Sequence, residues 1–267
     1  MDFRQKKKYG QNFLRDQRIV ERILTAADLQ PDDRVLEIGP GLGVLTDRLL
    51  ATVAEVVVME VDAELVERLR QRPDANLQLH AGDALRLDWM AALQHPPYKL
   101  VANLPYNISS QVVFRILEHP RHFSRLVLMF QKEVADRLCA SPATKEYGIL
   151  SVLCRLWFDI RQVTAVPPGA FSPPPKVTSA VLLFEPLPAP RVPVADEQLL
   201  RQVVKAAFGQ RRKTLRNALA AGDFSGQAVE QALLRSGIDP VRRGETLSLA
   251  EFAHLSNALR EILNSEF

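Results

Sequence analysis

The chain has 267 residues, of which 47% are hydrophobic and 24% are charged. This composition is that of an ordinary folded domain and excludes a disordered, coiled-coil or collagen-like chain. The 34 basic and 31 acidic residues leave a net charge of only +3, so charge alone does not indicate a polyanionic partner. Only Cys139 and Cys154 are present, too few for a disulfide framework or a four-thiolate zinc site, and we expect no metal.

No stretch of the sequence approaches the roughly 18 apolar residues that a membrane-spanning helix needs. The first ten residues, MDFRQKKKYG, are charged and lack the apolar core of a signal peptide. We therefore expect a cytoplasmic protein without membrane association, and a monomer.

Short apolar runs alternate with helical patterns from residue 34 to about residue 186. This alternation predicts a parallel sheet with helices on both faces. Before the first strand, Asp16 can cap a helix with apolar residues at helical spacing. The predicted strands cover residues 34–38, 55–60, 77–81, 99–103, 125–131, 159–166 and 179–185.

The last two predicted strands are joined by a Pro-rich loop without a helix, so this final pair can be antiparallel. The segment EPLPAPRVP, residues 185–193, then predicts a stiff linker, because closely spaced prolines restrict the backbone. Only helical patterns follow, at residues 196–208, 213–220, 225–236 and 248–263. The sequence thus predicts an α/β, Rossmann-like domain over residues 1–189, with a seven-stranded sheet, and a smaller all-helical domain over residues 190–267.

A glycine-rich segment, EIGPGLG, follows the first predicted strand. Glycines between a strand and a helix let the backbone approach a ligand, although a plain tight turn gives the same pattern. The third glycine, Gly43, stands one residue before the position that the dinucleotide pattern requires, where this chain has Val44. This spacing disfavours a nicotinamide cofactor.

Acidic residues end the next two strands. Glu60 lies about 20 residues after the glycines, where an acid commonly receives ribose hydroxyls. Asp83 follows the third strand, where its carboxylate can accept a hydrogen bond from an adenine amino group. Each has a structural alternative, a solvated acid for Glu60 and a helix cap for Asp83. Together with the glycines they predict a site for an adenosine-containing ligand at the strand ends.

The fourth strand ends in NLPYN, residues 103–107. An exocyclic amine on a nucleobase is a poor nucleophile, and acceptors such as the Asn103 amide oxygen and the Leu104 carbonyl would stabilise the positive charge that develops during methyl transfer. Pro105 can hold the turn, and Tyr106 offers a flat face on which a flipped base can stack. A simple strand-ending turn is the alternative for these residues taken alone.

Seven motifs along the chain together resemble those of a known protein family, in the same order. They are GQNFL, EIGPGLG, Glu60, GDAL, NLPYN, FSPPPKVTS and FGQRRKTLRNAL. With them the sequence resembles the KsgA-type (RsmA) family of S-adenosylmethionine-dependent ribosomal RNA adenine dimethyltransferases over nearly its whole length. The resemblance implies a methyltransferase sheet and transfer of two methyl groups to N6 of each of two adjacent adenosines. These adenosines lie in the 3′-terminal hairpin loop of small-subunit ribosomal RNA, modified during ribosome biogenesis, so that the implied partners are 16S rRNA and a precursor of the small ribosomal subunit.

The resemblance also implies the residues of the site. For S-adenosylmethionine they are Gln11, Asn12, Leu14, Glu37, Gly39, Gly41, Glu60, Val61, Asp83, Ala84 and Asn103. For the target adenine they are Asn103, Leu104, Pro105, Tyr106 and Phe171. Without the resemblance, Asn12 would be read as a loop residue and Phe171 as part of the core.

Basic residues cluster near the N-terminus and again between residues 201 and 216. A solvated helix face is the alternative, but beside a site for a base we expect RNA contacts. The expected RNA-binding residues are Lys6, Lys7, Lys8, Arg211, Arg212, Lys213 and Arg216.

Two other functions stay open at this stage. A related family dimethylates large-subunit ribosomal RNA, and FGQRRKTLRNAL with the full NLPYN favours the small subunit instead. A protein that acts in ribosome assembly mainly by binding would be favoured by an eroded pocket, which the motifs do not show.

Overall fold

The computed structural model describes residues 11–210, 212–222 and 224–265. Internal contacts divide the chain into two compact units. The first comprises the chain up to Ala135 together with Asp159–Pro186, and the second comprises Asp136–Phe158 and the chain from Leu187. None of the described helices is long and apolar enough to cross a membrane.

The strands of the first unit match the sequence prediction to within two residues. They are β1 Phe13–Leu14, β2 Arg34–Ile38, β3 Glu55–Glu60, β4 Leu77–Ala81, β5 Tyr98–Asn103, β6 Phe123–Gln131, β7 Phe158–Val166, β8 Phe171–Ser172 and β9 Ser179–Pro186. In the described part of the chain, seven of these strands form one sheet in the order β4-β3-β2-β5-β6-β9-β7. The short strands β1 and β8, which the sequence did not predict, form a separate antiparallel pair.

The sheet is parallel from β4 to β6, and β9 runs antiparallel to β6. The last strand in the chain therefore inserts between β6 and β7 and opposes its neighbour, as the short Pro-rich connection allows. The predicted fold class, a Rossmann-like mixed sheet with an antiparallel end, is confirmed.

The central strands form because they are apolar on both faces. In β3, the consecutive residues Val56, Val57 and Val58 are completely buried. A parallel strand covered by helices on both sides requires such a continuous apolar run, since neither face meets water. Full burial of each valine side chain contributes about 1.5–3 kcal/mol to folding.

The helices before and between the strands are α1 Gln17–Ala27, α2 Thr46–Leu50, α3 Ala63–Arg70, α4 Trp89–Ala92, α5 Ser109–Glu118 and α6 Lys132–Cys139. Asp16 caps α1 as predicted, because its side chain accepts a hydrogen bond from the backbone N–H of Arg18. Asp62 caps α3 in the same way through the N–H of Glu64. Each cap fixes where a helix begins behind a strand end.

The second unit is helical. Its helices are α7 Ile149–Trp157, α8 Glu197–Gly209, α9 Leu215–Ala220, α10 Gly226–Arg235 and α11 Leu249–Ser265. All four helical patterns that follow the Pro-rich linker are found. The division after Pro186 lies close to the boundary expected near residue 190, whereas residues 136–158, which the sequence placed in the first domain, group with the second unit.

Candidate functional site at the carboxyl ends of the strands

A cavity of about 190 Å³ lies where β2, β3, β4 and β5 end. Fourteen predicted site residues line it, contributed by segments far apart in the sequence. They are Gln11, Asn12, Leu14, Glu37, Gly39, Gly41, Glu60, Val61, Asp83, Ala84, Asn103, Leu104, Pro105 and Tyr106, with Phe13 of the same GQNFL motif beside them.

The glycine loop adopts a backbone that other residues take up only with strain. Gly39 and Gly41 have φ of +67° and +60°. A Cβ added at Gly39 would lie 3.2 Å from Pro105 Cγ, and one at Gly41 would lie 2.8 Å from Phe13 Cδ1. The loop can therefore approach both the NLPYN turn and the N-terminal segment only because Gly39 and Gly41 have no side chains.

Glu37 is buried at the base of the cavity. Its Oε2 accepts a hydrogen bond of 2.7 Å from the hydroxyl of Thr46, the first residue of α2. Burial raises the pKa of Glu37 to about 8, although this hydrogen bond acts in the opposite direction. The sequence analysis did not find Thr46, and no signal in the motif singles out this hydroxyl.

Glu60 is held by the start of the segment that follows it. Its Oε1 accepts hydrogen bonds from the backbone N–H groups of Val61 and Asp62, both at 2.8 Å. Burial raises the pKa of Glu60, while these backbone donors favour its charged form. Asp62 also accepts a hydrogen bond of 3.0 Å from Gln11 Nε2, which ties the N-terminal segment to this side of the cavity.

Asp83 lines the cavity and has the predicted capping role. Its Oδ1 accepts a hydrogen bond of 2.9 Å from the backbone N–H of Leu85 and so caps the following turn. Its Oδ2 lies 3.8 Å from Arg86 Nε, at the side of the cavity. One carboxylate oxygen thus caps the turn, and the other forms a long ion pair with Arg86.

The NLPYN turn carries an oriented amide. Asn103 Nδ2 donates a hydrogen bond of 3.2 Å to the backbone carbonyl of Asn12, which leaves Oδ1 as the free acceptor end of the side chain. The Ile108 N–H donates to the Pro105 carbonyl at 3.1 Å and closes the turn. Tyr106 is half-buried, and its hydroxyl lies 2.6 Å from Ser179 Oγ.

Phe171 does not line the cavity with the other predicted residues. It lies on β8 opposite Leu14 of β1, is only 4% exposed, and packs in the main hydrophobic cluster. The ring is buried for the ordinary hydrophobic reason, so the structure places Phe171 in the core alternative given above. Its contact with the target adenine stays a prediction.

The described residues include three of the expected RNA contacts. Arg212 and Lys213 are exposed just before α9, whereas Arg216 of α9 forms an ion pair with Glu230 of α10. Lys6, Lys7, Lys8 and Arg211 lie outside the described residues. Among those described, no group of three or more residues is arranged to hold a metal ion.

The family model for ribosomal RNA adenine dimethylase matches residues 2–261 of this chain. The chain is 62% identical over 260 residues to the ribosomal RNA small subunit methyltransferase A of Syntrophotalea carbinolica, covering 97% of this chain and 98% of that protein. It is 51% identical over 263 residues to the protein of the same name from Geobacter metallireducens, with 96% of each covered.

Two solved structures have similar folds over most of the chain. A dimethyladenosine transferase from Plasmodium falciparum matches with a TM-score of 0.76 at 26% identity, covering 96% of this chain and 98% of that one. The 23S rRNA methyltransferase ErmE matches with a TM-score of 0.66 at 28% identity, covering 93% of this chain and 100% of that one. The resemblance found in the seven motifs is confirmed, as is the enzyme class: the chain belongs to the ribosomal RNA adenine dimethylase family.

Proposed function

We propose that this protein transfers methyl groups from S-adenosylmethionine to N6 of two adjacent adenosines in the 3′-terminal hairpin loop of small-subunit ribosomal RNA. The proposed substrate is a precursor of the small ribosomal subunit containing 16S rRNA, and the proposed acting form is a cytoplasmic monomer. Support for the small subunit comes from the two relatives at 62% and 51% identity, both named as small-subunit enzymes.

The orientation of the Asn103 amide is the observation that carries the proposal. Because Nδ2 is engaged by the Asn12 carbonyl, Oδ1 is left to accept a hydrogen bond at the cavity. An acceptor is what the N6 amino group of adenine requires, since that group carries two N–H donors. Among the described residues, no histidine or cysteine lines the cavity, and the chemistry needs neither.

The residues of the cavity fit S-adenosylmethionine. Glu60 is a buried carboxylate, fixed by two backbone donors, and suits the two ribose hydroxyls. Asp83 Oδ2 suits the adenine amino group, and the glycine loop leaves room for the backbone to approach the ligand. When bound, the cofactor supplies a methyl group activated by a positively charged sulfur.

The residues of the NLPYN turn bind the target amine and its base. Asn103 Oδ1 and the Leu104 carbonyl accept hydrogen bonds from the target amine, which concentrates its lone pair on nitrogen and stabilises the positive charge that grows there. The amine proton passes to water after the new N–C bond forms and the C–S bond breaks. Tyr106 supplies a stacking face for the base once it has left its own stack.

The helical unit supplies the proposed RNA contacts. Arg212 and Lys213 are exposed and suited to phosphates. Arg216 is partly neutralised by Glu230, so that we expect a smaller contribution from it. The remaining proposed contacts, Lys6, Lys7, Lys8 and Arg211, complete the two basic segments of the sequence.

Incubation with a labelled methyl donor tests the proposal. Purified protein is given immature small subunits, large subunits or naked RNA, and the modified base is mapped. The proposal predicts N6,N6-dimethyladenosine at two adjacent positions in the small-subunit RNA. Label in large-subunit RNA would indicate instead the activity named for ErmE, and tight binding without any label would indicate an assembly factor.

A further inference from the structure

The serine that ends the FSPPPKVTS motif has no role in the site as described so far. Ser179 is the first residue of β9, is completely buried, and does not line the cavity. Its Oγ lies 2.6 Å from the hydroxyl of Tyr106, which does line the cavity. Most buried hydroxyls in native proteins are paired, and the partner of this serine is the aromatic residue of NLPYN.

The hydrogen bond crosses the sheet. Tyr106 follows β5, whereas β9 is two strands away, with β6 between them. Ser179 is fixed on its own side, because it pairs with Gln131 of β6 and the preceding carbonyl, of Thr178, accepts a hydrogen bond of 2.9 Å from the Lys132 N–H. The tyrosine hydroxyl is therefore held by a rigid part of the sheet.

The backbone of Tyr106 is also held by a hydrogen bond. The Ser109 hydroxyl donates a hydrogen bond of 3.2 Å to the Tyr106 backbone carbonyl. With both its backbone and its hydroxyl fixed, the side chain keeps one direction and the ring keeps one position. A ring already in position does not lose further conformational freedom when a flat ligand stacks on it.

We propose that Ser179 is a positioning residue, which holds the Tyr106 ring at the place where the target adenine stacks on it. This inference rests on the proposed function, because it assigns the ring to a flipped base. Ser179 acts through Tyr106, since it does not itself line the cavity. Its loss should affect the step after RNA binding, when the base is captured.

Steady-state kinetics of Ser179→Ala, Tyr106→Phe and the double variant test the proposal, on the RNA that the parent protein methylates. We expect kcat to fall about fivefold in each single variant, the effect of one hydrogen bond, with KM for RNA and the affinity for S-adenosylmethionine unchanged. The double variant should be no slower than the single ones, because both changes remove the same bond.

Ser256→Ala is the matched control. Ser256 is also a buried serine, but its Oγ has no hydrogen-bond partner among the described residues, so its removal should leave kcat unchanged. Parental kcat in Ser179→Ala, or losses that multiply in the double variant, would overturn the role of Ser179.

If Ser179→Ala does not fold, Tyr106→Phe decides alone, since it keeps the ring and removes only the hydroxyl; parental kcat in that variant would also overturn the role. A parent protein that does not methylate adenosine at all would contradict the proposed function instead, so that the two failures are distinguishable.

Discussion

Two carboxylates in the two units, Glu37 and Glu251, are held in opposite ways. Glu37 lies buried beside the cavity with the neutral Thr46 hydroxyl as its hydrogen-bond partner, and burial raises its pKa to about 8. Glu251, in the first turn of α11, accepts hydrogen bonds from Arg242 and from Ser248, and the Arg242 bond is the main cause that lowers its pKa to about 2.

The difference shows what each region is organised to do. Ser248 and Glu251 form a reciprocal cap at the start of α11, so the charge of Glu251 stabilises the helix. Burying Glu37 without a comparable partner costs stability, which is typical of a group kept for a site rather than for the fold. Glu251 thus stabilises the helical unit, whereas Glu37 lowers stability beside the cavity.

The largest effect is expected from a substitution that removes a group of the strand-end site and leaves the fold intact. Asn103→Ala removes the acceptor proposed for the target amine, and we expect the methyl-transfer rate to fall about 10²–10³-fold. RNA affinity should stay within twofold of the parent, because phosphate contacts supply most of it, as about half to two-thirds of such hydrogen bonds go to the backbone. Single-turnover methylation with saturating protein measures the rate, and a parental rate would refute the role of this amide.

The second prediction concerns the cost of burying Glu37. Between about pH 4.5 and pH 8 the folded state keeps a proton on Glu37 that the unfolded state has lost, so stability declines as pH rises through this window. Glu37→Gln keeps an acceptor for Thr46 and cannot ionise. Relative to the parent, its free energy of unfolding should therefore rise by about 3–4 kcal/mol between pH 5 and pH 8.

Urea unfolding at a series of pH values measures this difference. It should grow towards pH 8 and then become constant. A difference that does not change with pH would show that Glu37 is ionised in the folded protein.

The third prediction concerns the stabilising role of Glu251 in the helical unit. Glu251→Gln should lower the free energy of unfolding by about 1–2 kcal/mol at neutral pH, because it weakens the charge-assisted bonds and the helix cap. The pKa of Glu251 is lowered in the folded state, so its stabilisation is present above about pH 4.5 and is lost as pH falls towards about 2.

Cofactor affinity shows whether Glu251→Gln affects the cavity as well as the helical unit. Binding of S-adenosylmethionine, measured by calorimetry, should equal that of the parent, since Glu251 does not line the cavity. A variant that unfolds like the parent at neutral pH would contradict the stabilising role of this pair.

The smallest effect is expected on the exposed cations. Replacing Arg212 and Lys213 by glutamine should reduce the slope of log affinity against log salt concentration by about 1.5, as each phosphate contact contributes about 0.7–0.9. Arg68→Gln, which removes an exposed arginine of α3, is the control and should leave the slope unchanged. An unchanged slope in the double variant would remove these two residues from the RNA interface.

Much of the strand-end site was predictable, because it follows from local rules. Continuous apolar runs identify the buried strands, and parallel strands end at the same edge, so Glu60, Asp83 and Asn103 had to lie close together. The helices after the linker were predictable for the same reason, since caps such as Ser248 mark where they begin.

What could not be predicted depends on contacts between distant segments. The bond from Ser179 to Tyr106 joins residues 73 apart, and neither residue type requires the other. The burial of Phe171 follows from its pairing with Leu14, in strands too short to leave a pattern. Nothing in the composition of residues 136–158 shows that they group with the helical unit rather than the sheet.

The most direct test is a crystal structure of the protein with S-adenosylhomocysteine and a short RNA containing the target adenosine. The account predicts Asn103 Oδ1 at about 2.7–3.2 Å from adenine N6, with the base stacked on Tyr106 and the ribose hydroxyls of the cofactor product on Glu60. An adenine bound away from Asn103, or an Asn103 amide oxygen turned into the core, would contradict it.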